Sequence, residues 1–103
     1  MKIPFVKMHG NGNDFVIIDN YKNKIKRNKT IIKKLTNRRI GIGCDQLILI
    51  EKSKKYDVFM KIYNSNGSEA EMCGNAARCV ASLLLAGSKK KEVTIETISN
   101  SLI

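Results

Sequence analysis

Residues 73–87 read Cys73-Gly74-Asn75-Ala76-Ala77-Arg78-Cys79-Val80-Ala81-Ser82-Leu83-Leu84-Leu85-Ala86-Gly87, and this stretch decides how the chain is built. Apolar residues at Ala76, Val80, Leu83, Leu84 and Gly87 fall on one face of a helix. A helix is therefore predicted over residues 75–86, with Gly87 as its C-terminal cap and its apolar face packed on a sheet. At its other end, a cysteine at a helix N-terminus faces unpaired N–H groups and the positive end of the dipole, which favour the thiolate. Those same N–H groups can hold a carboxylate close to the sulfur. An anion cradle beside an ionisable thiol is suited to removing a proton from a carbon next to a carboxylate.

Outward from this helix, the remaining elements are mostly strands. Residues 3–8 read as a short strand, and residues 9–14 as a loop rich in Gly and Asn, both tolerant of positive φ. Phe15-Val16-Ile17-Ile18-Asp19 is apolar and β-branched and predicts a buried strand, so the two strands suggest a hairpin. Residues 22–29 read as polar loop. Thr30 is the expected N-cap of a helix reaching about Arg38, with Ile31, Ile32 and Leu35 as its apolar stripe. Gly41-Ile42-Gly43 breaks that helix, and residues 46–51 return to strand. A further strand over residues 57–63 alternates Val58, Met60 and Ile62 against Phe59, Lys61 and Tyr63. Asn66-Gly67 is a turn signal, and residues 92–98 close as an alternating strand. Strands outnumber helices, which predicts an α+β fold.

Composition narrows the function. A chain of 103 residues is one domain by length, and 43% hydrophobic residues suffice for a core of modest stability. No stretch approaches the ~20 apolar residues of a membrane span, and the first residues lack a signal-peptide pattern, so the cytoplasm is the expected compartment. Cys44, Cys73 and Cys79 are an odd set without metal-ligand spacing, so neither a disulfide framework nor a metal site is expected. Cys44 and Cys79 read as small buried hydrophobes. The formal charge of +10 concentrates between Lys22 and Arg39 without interleaved aromatics or a nucleic-acid motif. A solvated basic face explains it better than nucleic-acid binding.

Four loops in order carry a resemblance: Met8-His9-Gly10-Asn11-Gly12-Asn13-Asp14-Phe15, Gly41-Ile42-Gly43-Cys44-Asp45-Gln46, Tyr63-Asn64-Ser65-Asn66-Gly67-Ser68-Glu69 and Met72-Cys73-Gly74-Asn75-Ala76-Ala77-Arg78. Together they resemble the N-terminal half of the diaminopimelate epimerase family, across nearly the whole chain. The resemblance implies a mostly antiparallel sheet wrapped around a central helix, with residues 1–103 as an N-terminal domain and a C-terminal domain missing. It implies Cys73 as one of two catalytic cysteines, with Asn13, Gln46, Asn64, Gly74 and Asn75 in contact with a small-molecule substrate, diaminopimelate. It implies no cofactor. The family's second cysteine and its Glu-Arg pair belong to the second half and are absent from these residues. A chain of this kind alone is expected not to epimerise, and to bind the missing domain or to self-associate. His9 is expected to be a structural hydrogen-bonder, and Arg78 either orients the site or pairs with Glu69 or Glu71. Two alternatives stay open: a related racemase or isomerase half, and a non-enzymatic basic module.

Overall fold

The computed structural model describes residues 4–10, 12–21, 25, 28–71 and 74–98. Among these residues six strands form one sheet: β1 (Val6–Gly10), β2 (Asn13–Asp19), β3 (Gln46–Glu51), β4 (Val58–Asn64), β5 (Glu69–Ala70) and β6 (Ile95–Glu96). The order is β1-β2-β3-β4-β5, and β6 pairs with the early part of β4. Three pairings are antiparallel, while β2–β3 and β4–β6 are parallel. The parallel β2–β3 pair needs a crossover, and helix α1 (Lys29–Thr36) supplies it.

The apolar runs of β2 and β3 are continuous because both sheet faces are covered. Phe15, Ile17, Ile48, Ile50, Met60 and Ile62 point to one face, where Ala76, Ala77, Cys79 and Val80 of α2 (Gly74–Leu85) meet them. Val16, Ile18, Leu47 and Leu49 point to the other, where Ile32 of α1 packs with Ile25 and Cys44. Each fully buried side chain of this kind contributes about 1.5–3 kcal/mol. Buried Asn20 closes the far end: its Nδ2 donates to Ile25 O and Glu51 Oε2 at 3.1 and 2.9 Å, and its Oδ1 accepts from Ile25 N.

The helices and strands hold with local shifts. α1 is capped by Asn28 rather than Thr30: Asn28 has extended backbone, and its Oδ1 accepts from Thr30 N at 2.7 Å. The helix stops at Thr36, short of Arg38, because Asn37 turns extended (ψ 127°) while its N–H still reaches Lys33 O. β1 runs on to Gly10 and β2 starts at Asn13, so most of the expected Gly/Asn loop is ladder. Gly12, at φ 86°, makes the turn affordable to the backbone. β5 was not expected, and only Ile95–Glu96 of residues 92–98 is strand. Just ahead of it, Asp57 Oδ2 accepts from Thr94 N and Oγ1, and Thr94 Oγ1 accepts from Asp57 N, so side-chain bonds add to the backbone bond from Val58 N to Thr94 O. α2 spans one residue earlier at each end than expected, and Gly87 beyond it sits at φ 72°. Residue 3, most of the 22–29 loop and Cys73 lie outside the described residues.

Candidate functional site

Asn13 is the first residue of β2, Gln46 the first of β3 and Asn64 the last of β4. Parallel β2 and β3 begin at the same sheet edge, and antiparallel β4 ends there, with Phe15 opposite Gln46 and Gln46 opposite Asn64. Strand alternation places Asn13 with Phe15, Gln46 with Ile48 and Asn64 with Ile62, which all face α2. The start of α2 lies at this edge too. Gly10, paired with Asn13, lies against it: a Cβ there would be in van der Waals contact with Asn75 Cβ at 3.4 Å and Cys79 Sγ at 3.6 Å. Asn13, Gln46 and Asn64 thus share one end, or rim, of the sheet on the α2 face, and Asn75, in the first turn of α2 after Gly74, lies beside Gly10, the ladder partner of Asn13. Cys73, the residue before Gly74, lies outside the described residues.

The polar groups of the rim are held from behind. Gln46 Nε2 donates to Asn64 Oδ1 at 3.0 Å, and Asn64 Nδ2 donates to Ser68 Oγ at 3.1 Å. Ser68 Oγ in turn donates to Asn66 Oδ1 at 2.6 Å. The turn itself is closed by Asn64 N to Ser68 O and Gly67 N to Asn64 O, with Gly67 at φ 89°. This relay fixes the Gln46 amide. Its Oε1 is the buried side-chain oxygen that has no hydrogen-bond partner among the described residues. An acceptor withdrawn from water and left unpaired is costly, and a ligand N–H would satisfy it.

The first turn of α2 carries no acidic residue. Its N–H groups and dipole are thus free of a competing carboxylate from within the helix. Arg78 Nη2 donates to Asn75 Oδ1, while Glu69 pairs with Lys61 at 3.6 Å. Asn75 and Arg78 also line a cavity of about 270 Å³ with Met8, His9, Gly10, Cys79 and Ser82. His9 is exposed, and its backbone carbonyl accepts from the Cys79 thiol at 3.7 Å. Cys44 and Cys79 are 2% and 7% exposed, and burial pushes the Cys44 thiol up. Two more cavities, of about 550 and 460 Å³, lie against Lys52–Tyr56 and between Phe5 and Leu84. Neither includes a rim residue.

On the opposite face, directly behind Asn13 and Gln46, sits a cluster that the motif residues Asp14 and Asp45 build with Arg38. Arg38 Nη1 and Nη2 donate to Asp14 Oδ2 and Oδ1 at 3.0 and 2.9 Å, and Nη2 donates to Asp45 Oδ1 at 3.1 Å. Lys7 Nζ lies 3.3 Å from Asp14 and donates to Gly43 O at 2.9 Å. The Arg38 guanidinium holds the Asp14 carboxyl well below the usual carboxylate range. Neither aspartate had been singled out from sequence; the signal was their place beside Asn13 and Gln46 in two glycine-rich motifs. Among the described residues no three His, Cys, Asp or Glu side chains gather to hold a metal ion, and no helix is long and apolar enough to cross a membrane.

Comparison with known proteins bears on this geometry. The family description for diaminopimelate epimerase matches residues 5–102. Diaminopimelate epimerase of Carboxydothermus hydrogenoformans is 50% identical over 100 residues, which are 92% of this chain and 36% of that protein. That of Zymomonas mobilis is 54% identical over 81 residues, 78% of this chain and 30% of that protein. A solved methylitaconate-delta-isomerase superposes with a TM-score of 0.75 at 18% identity, over 99% of this chain and 57% of that one, a likeness of fold. The chain spans about a third of the length of the curated relatives it matches. With its fold, its ordered motifs and this match in agreement, the chain belongs to the diaminopimelate epimerase family.

Proposed function

We propose that this chain is the N-terminal domain of an epimerase that interconverts LL- and meso-diaminopimelate, and that it supplies one of the two faces of the site. The observation that carries this is the single rim bordered by Asn13, Gln46, Asn64 and the start of α2, in a chain of this family. Hydrogen on the α-carbon of an amino acid is very weakly acidic, so the carbanion must form where its charge is already met. Without pyridoxal phosphate there is no conjugated electron sink, and donors aimed at the carboxylate do that work. The N–H groups of Gly74 and Asn75 receive the substrate carboxylate, with the α2 dipole behind them. Gln46 Oε1 accepts from the substrate ammonium group, and Asn13 and Asn64 fix the rest of the reacting centre.

Cys73 is the acid–base group of this face. As thiolate it takes the α-proton and becomes a thiol, while a second thiol on the opposite face gives up its proton to the carbon and becomes the thiolate. Inversion needs both, and a thiol with an ordinary pKa of about 8.5 can serve in either role near neutral pH. The second thiol comes from a C-terminal domain facing this one across a cleft. The cytoplasm, where thiols stay reduced, suits such a pair.

Exchange of the substrate α-hydrogen with deuterated solvent tests this. Supplied with meso-diaminopimelate, the chain together with its C-terminal domain is expected to exchange and invert, and Cys73→Ser to lower exchange by about 10²–10⁴-fold. Exchange that survives Cys73→Ser unchanged would remove Cys73 from the reaction.

A further inference from the structure

We propose that Arg38 is a positioning residue: through Asp14 and Asp45 it clamps the first residues of β2 and β3 together and so sets Asn13 and Gln46 side by side. The proposal rests on the assignment of those two residues to the substrate rim. Asp14 follows Asn13, and Asp45 precedes Gln46. Strand alternation turns Asn13 and Asp14 to opposite faces, and Asp45, just ahead of β3, meets Arg38 and Asp14 on the Asp14 side, so the carboxylates grip behind the sheet while the amides lie on the α2 side.

The grip is reciprocal. Asp45 N donates to Asp14 Oδ1 at 2.8 Å and to Asp14 O at 3.2 Å, while Asp14 N donates to Asp45 Oδ2 at 3.2 Å. Each strand start therefore satisfies the other's backbone. Two carboxylates so close repel unless cations lie between them: Lys7 reaches Asp14, and among the described residues Arg38 is the cation that bonds both, bidentate on Asp14. The approach of Arg38 is itself built in. A Cβ at Gly43, where φ is 84°, would stand 2.9 Å from Arg38 Cα, and one at Gly41 would stand 1.9 Å from Lys34 O. The Gly41-Ile42-Gly43-Cys44-Asp45-Gln46 motif thus reads as one device: two glycines admit the end of α1, Cys44 packs beneath it, Asp45 takes Arg38, and Gln46 emerges at the rim.

Solvent exchange of the Gln46 side-chain amide protons, measured by NMR on this chain, tests the proposal. Arg38→Gln is expected to speed that exchange about tenfold, while the backbone amides of Ile17 and Ile48 keep their protection. Arg38→Lys, which keeps the charge but not the planar fork, is expected to behave like Arg38→Gln. Unchanged Gln46 exchange in both variants would overturn the proposal. Equal acceleration at Gln46, Ile17 and Ile48 would overturn it too, since Arg38 would then serve general stability. So would failure of both variants to fold. No diaminopimelate enters the measurement, so this result and the epimerase proposal can fail separately.

Discussion

Asp14 shows how one side chain ties stability to pH. Its carboxyl is nearly buried, bonded by Arg38 and by Asp45 N, and its pKa lies well below the ordinary value of about 3.9. A carboxylate depressed in the folded state stabilises at pH values above its unfolded pKa, and the gain is lost as pH falls through the folded value. The stability gap between the wild type and Asp14→Asn should therefore be constant from pH 7 to about 5 and shrink below about pH 4. Urea unfolding at several pH values measures it, and a gap unchanged down to pH 2 would contradict the pairing. Thiols give a second residue-scale prediction. Iodoacetamide should label Cys73 well before Cys44 and Cys79, which are buried, and diaminopimelate should slow labelling of Cys73 alone. Peptide mass mapping reads both results.

Elements in this fold are fixed by short polar or glycine devices as much as by apolar periodicity. Asn28→Ala should cost about 1 kcal/mol, since it removes the acceptor of Thr30 N at the start of α1. Gly41→Ala should cost about 3 kcal/mol, because its Cβ would run into the Lys34 carbonyl of the same helix. Gly12→Ala meets nothing and carries only the left-handed penalty of about 1 kcal/mol. Chemical denaturation of the three variants gives the ranking, and Gly12→Ala as the worst would contradict it. Periodicity made β2, β3, β4 and both helices legible, because long apolar runs answer to burial. It could not show that β2 and β3 run parallel, since a two-face buried run looks the same in either direction. Thr30 looked like the cap of α1, yet Asn28 takes the role two residues earlier. Alternation over residues 92–98 pointed to β6 but overran it, while the short β5 depends on pairing with β4, which no local pattern encodes.

At the scale of the whole molecule, one sheet with a helix on each face sets out two kinds of surface. The α1 side carries the clamp of Asp14, Asp45 and Arg38, and the α2 side carries the rim, so structural and proposed substrate-facing residues alternate along the same strands. Motif resemblance pointed to Asn13, Gln46 and Asn64, and their places in a loop, at a strand start and at a strand end allow convergence on one rim; strand order and register give the face they share. The clamp behind them had only the motif places of Asp14 and Asp45 as a signal, because Arg38 joins them from a separate part of the chain. Phe5, Val6 and Tyr21 are exposed beside Leu83 and Leu84 and line an apolar groove with them. NMR titration of the labelled chain with meso-diaminopimelate tests whether the rim receives this substrate. Shifts in the side-chain amides of Asn13, Gln46 and Asn64 and the backbone amides of Gly74 and Asn75 are predicted, while residues 52–56 stay still. Shifts confined to that loop or to the Phe5–Leu84 groove, with the rim unmoved, would contradict the account.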